Sequence, residues 1–451
     1  MNFCFRKNNS MATQVPPKHR NALKVLMFPW LAYGHISPFL DLAMKLADRG
    51  FSVRVCSTII SRDTINKQIP EKYSASIKMV ELCLLKLSKP ITNEIPVDLD
   101  HIVLETLKLS KSNFAKILQK LKPDLFIYDL LLQWAEGVAK KQGILAMKFV
   151  VMGAAVFSYL YTTIRKPEVE FPFHDIYPGE NELMKLNELI AESSRIDKYD
   201  DAFAEGNIQV MLMSTSRTIE GKYIDYFTKL SNWKVIPVGL PIKNRVTNDV
   251  DDDVEVIDWL GTKDEGSTIF VSFGNEYILS KEEMEELAFG LELSNVDFVW
   301  IVRFPERETR NLEDVLPKGF FQRIGERGRV LDKCVLRSRI LNHSSIGGFV
   351  SPCGWHNVIE CLDFGVPIIA MPIHLDQPMN AKLMVELGVA VEIVRDDDGK
   401  IHREEIAETL KGVVTRGNLR AKVRDVSKNL KTIGNEEMDT AAKELIQLCK
   451  R

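Results

Sequence analysis

The sequence predicts two α/β domains, each built on an open parallel sheet, that face each other across a cleft. Short apolar runs rich in β-branched residues alternate with longer amphipathic runs, which is the pattern of parallel strands joined by helical crossovers. The pattern is interrupted once, at 237–253, by Pro, Gly, Asn and a run of acidic residues, and then restarts. A chain of 451 residues is long enough for two or three domains of about 100–200 residues each. Open parallel sheets bind ligands at the carboxyl ends of their strands, so we expect the site in the cleft.

The N-terminal half begins with a strand, a loop, a helix ended by Gly50, and a second strand. A long helical segment and another strand–helix–strand unit follow. In chain order, the expected elements are a strand at Lys24–Pro29, a loop at Trp30–Pro38, a helix at Phe39–Arg49, a strand at Phe51–Cys56, a helix at His101–Leu121, a strand at Leu125–Tyr128, a helix at Gln133–Gln142 and a strand at Leu145–Val151.

The C-terminal half repeats this alternation. Its first helix has Ser280 as the expected N-cap and Glu283 at the capping-box position. The expected elements are a strand at Ser267–Phe273, a helix at Lys281–Leu293, strands at Asp297–Val302, Gly347–Val350 and Val366–Met371, and helix throughout Arg403–Cys449. The expected domains are a disordered tail at 1–21, an N-terminal domain at 22–236, a linker at 237–262, a C-terminal domain at 263–435 and a terminal helix at 436–451 that packs back toward the N-terminal domain.

Charge balance and cysteine content exclude several classes of protein. With 59 Lys and Arg against 62 Asp and Glu, the chain lacks the basic excess that nucleic-acid binding requires. Its seven cysteines form no C-x-x-C pair, which favours neither a zinc site nor a secreted disulfide framework. The most apolar stretch, Phe149–Ile164, is shorter than the roughly 20 residues of a membrane span. We therefore expect a monomeric cytoplasmic protein with no metal, no nucleic-acid partner and no membrane span.

Common motifs for cofactors and hydrolysis are missing from the sequence. It contains no G-x-G-x-x-G after a strand and no G-x-x-x-x-G-K-[ST], the usual markers of nicotinamide cofactors and of P-loop phosphoryl transfer. H-E-x-x-H and G-x-S-x-G are also missing, which disfavours zinc proteases and serine hydrolases.

Two polar residues of the N-terminal half stand at expected strand ends. His35 lies in the loop after the first strand, and Asp129 ends a later strand of the same domain. Because strand ends of an open sheet gather functional groups, the two side chains are candidates for a base and the carboxylate that orients it. The alternative is a solvated loop histidine and an aspartate that caps the next helix, and residue types alone favour this alternative.

A second candidate site lies in the segment Ile346–Trp355. Here a strand ends in a small-residue loop at Cys353–Gly354 and a helix begins, so backbone N–H groups and the positive end of the helix dipole face a possible anion. The alternative is an ordinary turn between a strand and a helix.

Three stretches of the sequence resemble plant family 1 UDP-sugar-dependent glycosyltransferases. ILNHSSIGGFVSPCGWHNVIECLDFGVPIIAMPIHLDQPMNA, within 327–381, is similar to the signature box of that family, and FPWLAYGHISPFLDLA and PDLFIYD are similar to its acceptor domain. The resemblance covers about residues 22 to 450. It implies a GT-B fold of two Rossmann-like domains, with the acceptor bound mainly by the first and the nucleotide sugar by the second. The residues of these motifs also resemble those of the branch that adds a sugar to existing glycosides in plant specialised metabolism.

By this resemblance, His35 is the general base that deprotonates the acceptor hydroxyl, and Asp129 holds its imidazole. The implied reaction is inverting and uses a UDP-sugar such as UDP-glucose as co-substrate, with no other cofactor. Further implied roles are ribose binding by Glu360, hydrogen bonds to the sugar hydroxyls by Asp376 and Gln377, and a phosphate-facing helix that starts at Gly354 and Trp355.

The donor side of the signature box departs from the family pattern at several positions. They are Cys334 in place of the Trp that stacks on uracil, Arg337 in place of a Gln, Pro352 in place of the His that contacts the diphosphate, His356 and Asn357 in place of a small polar pair, and Asn275 in place of a Ser or Thr near the phosphates. Pro352 offers neither an imidazole nor a backbone N–H.

The residues that line the acceptor pocket are less well defined by the sequence. We expect Trp134, Met152, Phe157 and the segment Phe171–Tyr177 to contribute, and the alternative for each is an ordinary core residue.

Three functions follow from these observations. The first is a glycosyltransferase acting on a small molecule, which itself can be a glycoside, with Arg337 or His356 binding the diphosphate. The second is a repurposed fold in which His35 and Asp129 perform proton transfer on a metabolite without a sugar donor. The third is a non-catalytic binding subunit.

Overall fold

The structure is a computed structural model that describes residues 22–59, 62–84, 100–179, 182–184, 186, 209–240, 254–274, 277–304, 311–332 and 337–450. The expected N-terminal tail, most of the expected linker, and the candidate donor residues Asn275 and Cys334 lie outside the described residues.

Within the described part of the chain, the N-terminal half forms one parallel sheet of seven strands. The strands are β1 (Lys24–Phe28), β2 (Ser52–Ser57), β3 (Ile77–Glu81), β4 (Leu125–Asp129), β5 (Leu145–Val150), β6 (Val210–Met213) and β7 (Lys234–Pro237). Their order across the sheet is β3-β2-β1-β4-β5-β6-β7. The chain thus builds outward from β1 in one direction, returns, and builds outward from β4 in the other.

Helices cover this sheet as crossover connections, because parallel neighbours need long connections. They are α1 (Tyr33–Ala47), α2 (Arg62–Gln68), α3 (Asp100–Leu109), α4 (Lys111–Leu121), α5 (Gln133–Lys140), α6 (Ala154–Arg165) and α7 (Arg217–Ser231), with 3₁₀ turns at Glu71–Tyr73, Leu130–Leu132 and His174–Ile176.

The C-terminal half forms a second parallel sheet, of six strands in the described residues. They are β8 (Thr268–Ser272), β9 (Asp297–Ile301), β10 (Gly328–Leu331), β11 (Ile346–Ser351), β12 (Ile368–Ala370) and β13 (Ala390–Glu392), in the order β10-β9-β8-β11-β12-β13. The helices are α8 (Val254–Leu260), α9 (Lys281–Ser294), α10 (Leu312–Val315), α11 (Phe320–Ile324), α12 (Arg337–Leu341), α13 (Trp355–Phe364), α14 (Gln377–Glu386), α15 (Arg403–Thr415) and α16 (Gly417–Leu448), with a 3₁₀ turn at Gly325–Arg327. Two parallel-sheet domains confirm the predicted fold class.

The expected loop at Trp30–Pro38 is wrong, because α1 already begins at Tyr33 and places His35 in its first turn. Pro38 lies inside this helix, where its ring removes the hydrogen bond to Gly34. Packing outweighs this loss, since the stripe that includes Ile36 and Phe39 is buried in the core.

Two expected continuous helices are each divided in the structure. The segment His101–Leu121 forms α3 and α4, with Ser110 between them donating from its hydroxyl to the Thr106 carbonyl at 3.0 Å. The segment Arg403–Cys449 is divided at Arg416 into α15 and α16. The predicted capping box of α9 is confirmed, with Ser280 and Glu283 bonding reciprocally. Part of the expected linker is helical, because α8 buries Val256, Trp259 and Leu260.

The carboxyl ends of the two sheets face each other across the cleft. Trp355, at the start of α13, donates its indole N–H to the Ser214 carbonyl, which follows β6, at 2.9 Å. Gly153, which precedes α6, leaves room for this indole, because a Cβ there would lie 3.1 Å from the Trp355 ring. The carboxyl ends of the two sheets, where the candidate residues lie, are therefore in contact.

The terminal helix α16 also joins the domains. Its last turns bury Met438, Ala441 and Leu445 in a cluster with Met27 of β1. Upstream, Gly434 lies against Gly239, where a Cβ would come within 2.9 Å of the Gly434 carbonyl oxygen. None of the described helices is both long enough and apolar enough to cross a membrane.

Candidate functional site

Each sheet has one point at which the strand order reverses, and both points lie in the cleft. In the first sheet β1 lies between β2 and β4, so the sheet extends from this point in one direction through β2 and β3 and in the other through β4 to β7. In the second sheet β8 pairs with both β9 and β11. Such reversals open a crevice at the carboxyl ends of the strands, where open α/β sheets bind ligands. The chain after β1, β4 and β11 therefore supplies the candidate residues.

The first reversal point brings together His35 and Asp129. His35 Nδ1 lies 2.8 Å from Asp129 Oδ2. The aspartate side chain is 1% exposed, whereas the histidine side chain is 26% exposed. The backbone N–H of Trp30 donates to the same Asp129 oxygen at 3.2 Å, and that of Leu131 donates to the other oxygen at 3.1 Å. The carboxylate is therefore held by the backbone on either side of the strand end.

This arrangement selects the histidine tautomer. A buried carboxylate that accepts from Nδ1–H fixes the ring, leaves Nε2 as the basic nitrogen and stabilises the imidazolium that forms on protonation. The two groups meet because Asp129 ends β4 while His35 follows the adjacent strand β1. The alternative of an unrelated loop histidine and a capping aspartate is thus incomplete, since Asp129 caps the turn after β4 and also binds His35.

The second reversal point is a tight corner between β11 and α13. Cys353 adopts the left-handed conformation, with φ of 67°, which is uncommon for a residue other than glycine. Gly354 is the N-cap of α13 and carries no side chain that could cap the helix. Pro352 and Cys353 are buried beneath this corner. The first turn of α13 thus presents backbone N–H groups toward the cleft.

Four polar side chains, which we call the α13 cluster, surround the first two turns of this helix: Arg337, His356, Asn357 and Glu360. Arg337 Nη1 donates to Asn357 Oδ1 at 2.8 Å, and its Nε lies 2.7 Å from Glu360 Oε2 without the alignment of a hydrogen bond. His356 Nε2 lies 3.6 Å from Glu360 Oε1. Glu360 is 4% exposed, so its carboxylate is buried against two basic groups.

Asp376 and Gln377 begin the helix α14 after a loop that follows β12. Gln377 Oε1 accepts from the backbone N–H groups of Ile373 and His374, both at 3.1 Å. Asp376 Oδ2 accepts from Asn380 at 2.7 Å. Because the amide oxygen of Gln377 closes its own loop, its NH₂ group is the part suited to a ligand.

The three expected acceptor residues occupy different environments. Phe157 is 1% exposed and packs against Phe227 with ring centroids 5.1 Å apart, so it is a core residue, the alternative that the sequence left open. Met152 is partly buried and packs against the hydrophobic cluster that includes Val150 and Trp355. Trp134 is partly buried and packs edge-on against Phe28, yet its indole Nε1 is buried with no hydrogen-bond partner among the described residues.

The segment Phe171–Tyr177 packs between the domains. Lys382 of α14 donates to the Tyr177 carbonyl, and Phe173 packs edge-on against Tyr223 with ring centroids 4.6 Å apart. Tyr223 in turn donates to Glu386 of α14 at 3.2 Å. This segment is therefore part of the joint between the two domains.

Sequence reasoning missed the residues of the N-terminal domain that receive Trp355. Glu220 is buried in this region and accepts from the Ala155 N–H at 2.8 Å, and burial raises the pKa of its carboxyl. The available signal was the polar run Ser214–Ser216 directly after an apolar strand. In the described part of the chain, no three His, Cys, Asp or Glu side chains are placed to hold a metal ion.

Comparisons with known proteins agree with this geometry. The model of the family described as UDP-glucoronosyl and UDP-glucosyl transferase matches residues 251–446. The chain is 44% identical to a beta-D-glucosyl crocetin beta-1,6-glucosyltransferase of Gardenia jasminoides, over 94% of this chain and 98% of that protein. It is 43% identical to a mogroside IIIx synthase of Siraitia grosvenorii, over 94% of this chain and 93% of that protein.

A solved structure shows the same architecture. The crystal structure of a UGT transferase from Siraitia grosvenorii in complex with UDP superposes with a TM-score of 0.77 at 26% identity, covering 94% of this chain and 100% of that one.

Proposed function

Since the chain belongs to the plant UDP-glycosyltransferase family, we propose that it transfers a sugar from a UDP-sugar to a hydroxyl of a small-molecule glycoside. The proposed acceptor class rests on one relative, whose name specifies a glucosylated crocetin as acceptor. The chain is 44% identical to this relative over 98% of the relative's length. Identity at this level over both domains supports a shared reaction type. The comparisons lend no support to a repurposed fold without a sugar donor or to a non-catalytic subunit.

The catalytic step is carried by His35. Its Nε2 takes the proton from the acceptor hydroxyl, and the resulting oxygen attacks the anomeric carbon of the donor sugar. The new C–O bond forms as the bond between that carbon and the diphosphate oxygen breaks, so UDP departs and the configuration inverts. Asp129, 2.8 Å from Nδ1, stabilises the imidazolium that results.

The C-terminal domain, at about 263–435, holds the UDP-sugar, which is a co-substrate. Gly354 and Trp355 begin the helix whose first N–H groups face the diphosphate, beside the α13 cluster. Asp376 and the NH₂ group of Gln377 bind hydroxyls of the donor sugar. By the sequence resemblance, we also assign Asn275 and Cys334 to donor binding.

The N-terminal domain, at about 22–236, holds the acceptor. We assign Trp134 to this role because it lies in the first turn of α5, shortly after Asp129 at the end of β4. We assign Met152 to the same role, since it is partly buried and lies in the loop between β5 and α6. We further propose that the protein is a monomer and acts in the cytoplasm. The cytoplasmic location is supported by cysteines that carry no disulfide: Cys56, Cys83, Cys353, Cys361 and Cys449.

The test is an acceptor panel that pairs each glycoside with its own aglycone. With UDP-glucose present, mass spectrometry should detect a mass gain of one hexose on glycosides, and a smaller yield or none on the aglycones. Transfer to aglycones alone would contradict the proposed acceptor class. Absence of transfer to every compound with several UDP-sugars, from a protein that unfolds cooperatively, would contradict the proposed reaction.

A further inference from the structure

The α13 cluster contains an ion pair where the family pattern has a neutral amide. Arg337 begins α12 and reaches two successive turns of α13 through Asn357 and Glu360. Its side chain is 21% exposed, while that of Glu360 is 5% exposed. The guanidinium is therefore more exposed than the buried carboxylate that it contacts.

The ion pair changes what Glu360 offers to a ligand. A carboxylate can only accept hydrogen bonds, and the sequence resemblance assigns this one to ribose hydroxyls. Here both of its oxygens face basic groups, Oε2 toward Arg337 at 2.7 Å and Oε1 toward His356 at 3.6 Å. Separating a buried carboxylate from its guanidinium is strongly unfavourable, so Glu360 is committed to holding Arg337.

Arg337 also places a permanent cation beside the turn that faces the diphosphate. Its partner Asn357 lies in the first turn of α13, and that helix has a glycine N-cap without a side chain. Pro352, in the same corner, supplies neither an imidazole nor an N–H. Arg337 uses one of the five N–H donors of its guanidinium in the hydrogen bond to Asn357, and the planar fork of this group matches phosphate oxygens.

We propose that Arg337 binds the diphosphate of the nucleotide sugar, and that Glu360 and Asn357 hold its guanidinium in place for this purpose. The inference rests on the proposed function, since it assumes a nucleoside diphosphate in the cleft. Recognition of the donor then depends mainly on the diphosphate, because Glu360 is engaged by Arg337 rather than by ribose. Arg337 is thus a binding residue, and Glu360 is a positioning residue that acts through it.

Calorimetric titration of UDP, with uridine measured by competition, tests the proposal. Arg337→Gln, which places the family residue at this position, should weaken UDP binding about tenfold to a hundredfold and leave uridine binding within about twofold. The matched control is Arg403→Gln, which removes a guanidinium paired with Glu286 on the outer helices α15 and α9. This control should bind UDP as the unmodified protein does.

Arg337→Gln leaves the buried Glu360 without its guanidinium, which can itself destabilise the fold. A second pair of variants, which lack this carboxylate, therefore tests the same point. Glu360→Gln should weaken UDP binding, but less than Arg337→Gln does, because Arg337 remains and is still held by its hydrogen bond to Asn357. The double variant Glu360→Gln/Arg337→Gln removes the guanidinium from a site that no longer has a carboxylate. It should bind UDP at least about tenfold more weakly than Glu360→Gln does.

Two results would overturn the proposal. One is UDP affinity in Arg337→Gln that equals or exceeds that of the unmodified protein. The other is equal UDP affinity in Glu360→Gln and the double variant. If the protein transfers glucose to glycosides and Arg337→Gln keeps its UDP affinity, only this inference fails. If the unmodified protein neither binds UDP nor forms product, the proposed function fails and this inference fails with it.

Discussion

The two halves of the cleft hold their functional groups in different ways. In the N-terminal half, Asp129 is fixed by backbone N–H groups of Trp30 and Leu131 before it contacts His35. In the C-terminal half, the α13 cluster is held by contacts between side chains, chiefly those of Arg337 with Asn357 and Glu360. One site is built by the backbone at strand ends, and the other by side chains on two helices.

By the sequence resemblance, the first half keeps the family pattern and the second departs from it, and the two kinds of construction differ in how readily a substitution changes them. A site fixed by backbone at a strand end depends on the fold and on few side chains. A cluster of side chains on helices changes its charge with a single substitution, while the fold around it is retained. The structure therefore separates proton transfer, which we assign to the first half, from donor recognition, which we assign to the second.

Removal of the base tests the first half and should give the largest effect. His35→Ala should lower kcat about 100-fold to 10,000-fold, the usual contribution of a general base, without weakening UDP binding. Steady-state kinetics and calorimetry measure the two quantities. The matched control is His402→Ala, which removes an exposed histidine that lies 2.7 Å from Asp396. A kcat for His35→Ala within twofold of that of the unmodified protein would show that proton transfer does not depend on the N-terminal half as we propose.

Replacement of the orienting carboxylate should have a smaller effect on the same step. Asp129→Asn keeps the shape of the side chain but places an NH₂ group beside donors, so the histidine tautomer is no longer fixed. We expect kcat to fall by less than it does in His35→Ala, because the imidazole remains in the site. Equal losses in the two variants would instead indicate that the Asp129 site collapses. Circular dichroism spectra of both variants distinguish these outcomes.

Restoring the imidazole of the family pattern tests the second half. Pro352→His adds one hydrogen bond to a charged group, and should strengthen UDP binding about tenfold. Pro352→Ala removes the ring without adding a donor side chain, and serves as the control. Calorimetric titration compares the two variants. Equal UDP affinity in both variants would place the diphosphate away from the corner between β11 and α13.

The smallest effect concerns the joint between the halves. Trp355→Phe removes the N–H that bonds to the Ser214 carbonyl at 2.9 Å, which should lower the free energy of unfolding by about 1 kcal/mol. The control is Trp259→Phe, which removes an N–H bond to the Glu326 carbonyl within the C-terminal domain.

Both variants should lose similar stability in thermal unfolding, and only Trp355→Phe should raise the KM for the donor. An unchanged KM in Trp355→Phe would show that this contact has no part in aligning the halves.

The sequence predicted the fold class and most central strands, because buried parallel strands read as short, continuous apolar runs. It did not predict the strands β3, β6, β7, β10 and β13, which lie toward the sheet edges, where runs are short or mixed with polar residues. It placed His35 in a loop because Gly34 and Pro38 favour loops, whereas burial of the apolar stripe of α1 extends the helix through them.

The pairing within each site had different signals in the sequence. His35 and Asp129 were predicted as partners because parallel strand ends converge at one edge. The contact between Arg337 and Glu360 was not predicted, since the two side chains lie on separate helices and no periodic pattern relates them. Only packing of α12 beside α13 brings them together.

Binding of UDP-glucose to the unmodified protein is the most direct test of the proposed function, since every proposed role requires a nucleotide sugar in the cleft. Titration calorimetry, supported by thermal unfolding with the ligand present, measures this binding. We predict saturable binding with a Kd at or below the millimolar range and a higher Tm, because a ligand that binds only the folded state stabilises it. No heat of binding and no shift in Tm at millimolar UDP-glucose would contradict the proposed function.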